Sequence, residues 1–320
     1  MRSIWFDAHL DLALLGLEGR DVSRPPEEAG GPWPPAGLTI PSLREGGVVE
    51  VLFTVFTAPG LTMAGGYPVG DVDAAGVAGR RQLDWYDARR DDGSLAGIEY
   101  RILMEGADPI RTPDELPEWI ARGVVAIGPT WRAGTRYAGG DASGGGLTGI
   151  GRDLVAATDA TGVVLDLSHL SQRATEDVLA ATDRRVVVSH SNVRSLVDGV
   201  TERHLADETI AEVGRRGGVI GLNLFRRFLA SGEDPRPTVD DAIAHVERIC
   251  EIQGDRRGVG LGSDLDGGFS AADLCAGIRR PADYVRLADA LAARGWTEPE
   301  IEGFRRGNWR RVFPADAPGT

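Results

Sequence analysis

The chain has 320 residues, 42% of them hydrophobic, and a formal net charge of −13. That length supplies a sizeable core; the acidic balance argues against a nucleic-acid partner, and the lack of any run of roughly 18–20 apolar residues argues against a membrane one. All 35 basic residues are arginine, which excludes Schiff-base chemistry, lysine nucleophiles and a carboxylated-lysine metal bridge.

Short β-branched runs alternate with amphipathic stretches of helical length, the pattern of repeated βα units around a parallel sheet. Strands are expected at about 4–9, 48–57, 100–105, 124–130, 163–168, 185–189, 218–224 and 258–263. Between them, the spacing of Val239, Ile243, Val246 and Cys250 predicts a helix over 239–250. Eight such units point to a (β/α)8 TIM barrel, and no linker divides residues 1–320 into two domains. Residues 19–37 and 139–149 are rich in proline and glycine and are expected to be loops. The second resembles a phosphate loop but lacks its Gly-Lys-Ser/Thr ending, so a mobile loop over the active site is the better expectation.

The N-terminal run Met1–Asp7 passes directly into His9, so no cleaved leader is expected. The run from Pro314 to Thr320 lacks the hydrophobic tail of a lipid-anchor signal. Cys250 and Cys275 have no metal-type spacing, and a reduced, cytoplasmic protein is expected.

His9-Leu10-Asp11 closes the first expected strand. Alternation along a strand puts positions 9 and 11 on one face, with Asp7 on the same face one step deeper, so His9 and Asp11 could hold one divalent ion. The run Arg101-Ile102-Leu103-Met104-Glu105 ends a further strand in a carboxylate. Two ions at one barrel mouth need an anionic bridge, and without lysine Glu105 is well placed to provide it. Trp131 follows Thr130 at the end of the fourth strand. Val163 to His169 and Val186 to His190 each end an apolar strand in histidine, 21 residues apart, about one βα unit. Three of the five histidines thus sit at strand ends on the face where barrel active sites lie. Taken singly, each is more often a satisfied structural histidine; as a set they favour a metal site. Asp264 closes the eighth strand, where it could take a proton from an activated water, and Asp266-Gly267 reads as a turn.

The order His-x-Asp, Glu-Gly, Asp-Leu-Ser-His, Ser-His-Ser and Gly-Ser-Asp-x-Asp-Gly, with Ile40-Pro41-Ser42-Leu43-Arg44-Glu45-Gly46-Gly47 and Gly307-Asn308-Trp309-Arg310-Arg311-Val312, resembles the renal or membrane dipeptidase family of amidohydrolase barrels. The resemblance runs from residue 7 to about 312. It implies two zinc ions, His9 and Asp11 on one, His169 and His190 on the other, and Glu105 between them. Asp264 would be the catalytic acid/base, acting with a water made acidic by the two metals. Arg203, in Arg203-His204, stands where the family places an arginine for the substrate carboxylate, a task that suits a planar guanidinium. Two departures concern the substrate lining: Leu10 replaces an asparagine, and Trp131 stands where the animal enzymes have a histidine that binds the scissile carbonyl. Indole can donate one hydrogen bond but cannot relay a proton in catalysis.

The expected activity is hydrolysis of a dipeptide or similar small carboxylate-bearing amide. The same chemistry on an N-acyl amino acid, a lactone or a biosynthetic tailoring substrate is the nearest alternative, and a metal-binding protein without turnover is a third. Purely structural histidines would predict no metal at all. A homodimer is open as a further partner.

Overall fold

The computed structural model describes residues 3–197, 201–234 and 236–315. Residues 1–2 and 316–320, on which the leader and lipid-anchor expectations partly bear, lie outside the described residues. Among the described residues ten strands are present: β1 Trp5–Leu10, β2 Val48–Phe56, β3 Ala58–Pro59, β4 Gly66–Tyr67, β5 Glu99–Glu105, β6 Val124–Gly128, β7 Val164–Asp166, β8 Val186–Ser191, β9 Ile220–Leu222 and β10 Val259–Leu261. Eight of them close into a parallel barrel in the order β1-β10-β9-β8-β7-β6-β5-β2, while β3 and β4 form a separate two-stranded ladder. The eight barrel strands fall where the alternation of sequence patterns puts them.

Strand β2 shows why the sequence takes this form. It is a run of β-branched, aromatic and aliphatic residues paired in unbroken register with β5, from Glu50 opposite Glu99 to Phe56 opposite Glu105. Val51, Phe53 and Val55 point outward into the large cluster between strands and helices, whereas Leu52 joins Phe6, Ala8, Leu103, Ala126, Val187 and Val219 in a second cluster that fills the barrel. The expected helix is present as Val239–Gln253, opened by a Thr238–Asp241 capping box. Its buried face is Ala242, Ile243, His245, Val246 and Ile249. The late Gly-Asn-Trp run closes the barrel floor. Trp309 stacks on Phe6 at 6.1 Å between ring centroids and donates its indole N–H to Leu261 O at 2.9 Å. Asn308 donates to Val259 O at 2.8 Å.

Strands β7, β9 and β10 have three residues each, shorter than expected at their C-terminal ends. The backbone leaves the ladder early there: His169 and Asp264 have φ of 64° and 58°, a left-handed conformation rare for residues other than glycine and concentrated at functional sites. Asp266, at φ 62°, makes the expected turn, but it is also a buried anchor. Its carboxylate pairs with Arg20 and accepts from Gly37 N at 2.8 Å and Leu38 N at 2.9 Å, tying the 19–37 loop to the barrel mouth. Among the described residues no helix is long and apolar enough to cross a membrane.

Candidate active site

His9, Asp11, Glu105, His169, His190 and Asp264 converge at the C-terminal mouth of the barrel, drawn from the ends of β1, β5, β7, β8 and β10. Glu105 is at the centre. Its Oε2 lies 3.5 Å from His9 Nε2, and its Oε1 lies 3.2 Å from His169 Nε2 and 3.7 Å from His190 Nε2. His169 and His190 bring their Nε2 atoms within 3.0 Å of each other. Asp11 Oδ2 is 4.0 Å from His9 Nε2, and its other oxygen accepts from the Thr54 hydroxyl. Ligand atoms of His9, Glu105 and His190, and of His9, Asp11 and Asp264, each fall within 4.8 Å of one another.

Two local expectations need correcting. Asp11 is not a strand residue; it stands at the N-cap of the helix Leu12–Leu17. Asp7 does not share the face of His9. The register of β1 against β2 shifts between Asp7 and Leu10, which breaks strict alternation and turns Asp7 away from the mouth. Its carboxylate accepts instead from Ser263 N at 2.9 Å, Ser263 Oγ at 2.5 Å and Tyr284 OH at 3.0 Å.

The surroundings orient the imidazoles. Ser189 Oγ donates to Asp166 Oδ2 at 2.5 Å, which leaves its lone pairs to face His190 Nδ1 at 2.9 Å and His9 Nδ1 at 3.3 Å. With Nδ1–H directed at Ser189, each ring turns its Nε2 toward Glu105, the nitrogen that would ligate a metal once it has shed any proton it shares with that carboxylate. Behind His169 the partner is a carboxylate, Asp141 Oδ2, 2.8 Å from Nδ1. Asp264 is held by Asn223 Nδ2, which donates to its Oδ2 at 2.8 Å.

The charges are strongly coupled. Burial pushes Asp264 up to about 7 and Asp11 up to about 6, with the neighbouring Glu105 carboxylate adding to both. Burial alone would lower His9, but Glu105, Asp11 and Asp264 outweigh it and hold that imidazole up at about 10. Glu105 itself is held well below the usual carboxylate range: burial opposes this, and His9 and His169 overcome it. Burial, with the like charge of His9 and Arg203 nearby, drives His190 down into its neutral form. Three carboxylates in so dry a place demand compensating positive charge, and converging imidazole nitrogens and carboxylate oxygens are the donor set that divalent transition metals, zinc above all, accept. The residues present therefore fit bound divalent metal.

Arg203 and Trp131 lie beside this cluster. Arg203 is buried, donates from Nη2 to His190 O at 2.9 Å, and stacks over Phe228 at 5.1 Å. Among the described residues its Nε and Nη1 have no hydrogen-bond partner, although Nε lies 3.8 Å from Asp141 Oδ2. Trp131 is half-buried and packs edge-on against Phe56 at 5.2 Å, with His169 at 5.9 Å. Sequence reasoning missed Asp141, Asn223, Ser189 and Asp166. Asn223 carried the same signal as the histidines, a polar residue closing the apolar run Val219–Leu222. Asp141 carried none beyond its place in the glycine-rich loop.

The sequence pattern of the membrane dipeptidase family, peptidase family M19, matches residues 1–317. An uncharacterized protein of the pqqA 5′ region of Klebsiella pneumoniae is 30% identical over 235 residues, 70% of this chain and 83% of that one. Dipeptidase 3 of Mus musculus is 30% identical over 169 residues, 52% of this chain, and the match spans 32% of the mouse protein. Among solved structures, a metallo peptidase from Rhodobacter sphaeroides liganded with a phosphinate mimic of the dipeptide L-Ala-D-Ala superposes with a TM-score of 0.79 at 25% identity, covering 98% of this chain and 99% of that one. The probable dipeptidase PvdM of Pseudomonas aeruginosa has the same fold, with a TM-score of 0.81 at 19% identity over 98% and 95% of the two chains. With a dipeptidase pattern along nearly its whole length and its polar strand ends gathered at one barrel mouth, the chain belongs to the membrane dipeptidase family, as a metal-dependent hydrolase.

Proposed function

We propose that this protein hydrolyses the amide bond of a dipeptide or a closely similar small amide with a free carboxylate, using two zinc ions. The observation that carries the reading is the division of Glu105, one oxygen toward His9 and the other toward His169 and His190. His9 and Asp11 would hold one ion, His169 and His190 the other, and Glu105 both. When bound, the metals supply an activated water and a Lewis acid for the scissile carbonyl.

The protein groups do the rest. Asp264, held by Asn223 and grouped with His9 and Asp11 at the barrel mouth, is placed to exchange a proton with the attacking water. As the water oxygen adds to the carbonyl carbon, one water proton passes to the Asp264 carboxylate. As the C–N bond breaks, Asp264 returns that proton to the departing amine nitrogen. Arg203 would receive the substrate carboxylate chiefly through Nη1, which has no hydrogen-bond partner among the described residues. Trp131 and Phe56 form an apolar wall beside His169 that would face the substrate and cannot relay a proton. The Rhodobacter sphaeroides enzyme with its L-Ala-D-Ala mimic supports a dipeptide as the first compound to try.

The indole wall also favours a second reading, the same hydrolysis applied to an N-acyl amino acid or a lactone. A panel of L,L- and L,D-dipeptides, N-acyl amino acids and lactones, assayed with zinc-loaded protein, tests both. Turnover of dipeptides is expected. Turnover confined to N-acyl amino acids or lactones would replace the first reading with the second, and full metal loading with no turnover of any member would leave a binding protein.

A further inference from the structure

The glycine-rich segment 139–149 lacks the Gly-Lys-Ser/Thr ending of a phosphate loop, yet its backbone is folded tightly on itself and onto the His169 strand end. Gly139 and Gly140 are required there. A side chain on Gly140 would overlap the carbonyl oxygens of Trp131 and Arg132, and one on Gly139 would overlap that of Gly144. Gly140 bridges Leu170, and Ser171 N donates to Gly139 O at 3.1 Å. Between these attachments, Asp141 meets His169 twice. Its backbone N–H donates to His169 O at 2.8 Å, and its Oδ2 accepts from His169 Nδ1 at 2.8 Å.

We propose that Asp141 is a positioning residue of the metal centre, carried by the glycine-rich loop so as to hold His169 in the tautomer and orientation that present Nε2 to Glu105. The inference rests on the two-metal reading above. The three imidazoles are not supported alike. His9 and His190 face the neutral hydroxyl of Ser189, whereas His169 faces a buried carboxylate. An anion behind an imidazole fixes its Nδ1–H and strengthens Nε2 as a donor. Arg203 Nε lies 3.8 Å from the same Asp141 oxygen and helps to keep it anionic. The left-handed backbone of His169 is pinned by the same contacts. Removing Asp141 should therefore loosen one ion and spare the other.

The test is zinc titration of the metal-stripped full-length protein against a competing chelator, for wild type, Asp141→Ala and Asp141→Asn. Wild type should take two ions. Asp141→Ala should hold one at the wild-type affinity and bind the other roughly 10- to 100-fold more weakly. In Asp141→Asn the amide oxygen still accepts from Nδ1–H, so its loss should be smaller and confined to the same ion. Metal-free melting temperatures close to wild type for both variants separate this outcome from general damage to the fold. If Asp141→Ala does not fold, Asp141→Asn alone decides, by a weakened single ion. Wild-type affinity for both ions in the variants overturns the proposal. Failure of the wild type to take two ions overturns instead the two-metal reading beneath it.

Discussion

Truncating Arg203 to alanine should separate recognition of a substrate carboxylate from support of the fold. The guanidinium is buried, with Nη2 satisfied by His190 O, Nε 3.8 Å from the Asp141 carboxylate, and Nη1 without a hydrogen-bond partner among the described residues. A buried donor without a partner costs roughly 1–3 kcal/mol, so the side chain is held ready for an anion at some expense to the free protein. A charge-assisted hydrogen bond to that anion contributes roughly 1.5–3 kcal/mol, equivalent to a loss of about 10- to 150-fold in kcat/KM when the arginine is removed. The assay compares a dipeptide with its C-terminal amide. The amide should already be a poor substrate of the wild type, and Arg203→Ala should lower it little further. Arg203 also touches the backbone of His190 and the ring of Phe228, so its loss could disturb the site generally; that effect would penalise acid and amide alike. Equal losses on the two substrates would refute the assignment.

Glu105→Gln should lower zinc content, because the side chain faces both sets of imidazoles, whereas Asp264→Asn should keep most of the metal and lose roughly 10²-fold or more in turnover; elemental analysis with steady-state kinetics reads both, and near-normal turnover of Asp264→Asn would remove its acid/base role. His204 is buried, and burial with the Arg203 charge beside it lowers its imidazole to about 3. The unfolded chain, at the usual 6.5, therefore binds the extra proton first: stability is whole above pH 6.5 and falls as the pH drops toward 3, by about 2 kcal/mol at pH 5. Urea unfolding at pH 7 and pH 5 should show His204→Gln losing less on acidification than wild type, and an unchanged difference would contradict the assignment. Trp309→Ala, which opens the barrel floor, should cost roughly 3–5 kcal/mol of unfolding free energy, and a loss below about 1 kcal/mol would show that the plug is dispensable.

The barrel was legible in the chain because its strands carry a local signal, β-branched runs at the spacing of βα units, and closure requires no more than that alternation repeated eight times. The candidate ligands were legible for the same reason: a histidine or carboxylate that ends an apolar run stands out against it, and all such ends must meet at one mouth. The missing lysines excluded a carboxylated lysine and left a carboxylate, water or hydroxide for any metal bridge before any contact was known. Leu10 and Trp131 were visible only as substitutions in a pattern; Leu10 is fully buried in the cluster between strands and helices and does not line the mouth as expected, whereas Trp131 does meet site residues far along the chain, Phe56 and His169. Asp7 shows where local reasoning fails. Period-two alternation assigns it to the face of His9, but a register shift set by pairing with β2 overrides that rule. Asp141 lies 28 residues from His169, and Asp264 lies 41 from Asn223; no periodicity links such pairs. Composition and spacing determined which groups reach the barrel mouth, whereas the direction in which each imidazole points, and which buried carboxylate takes up a proton, depended on partners that only closure of the barrel brings within hydrogen-bonding distance, where low polarity makes each contact count.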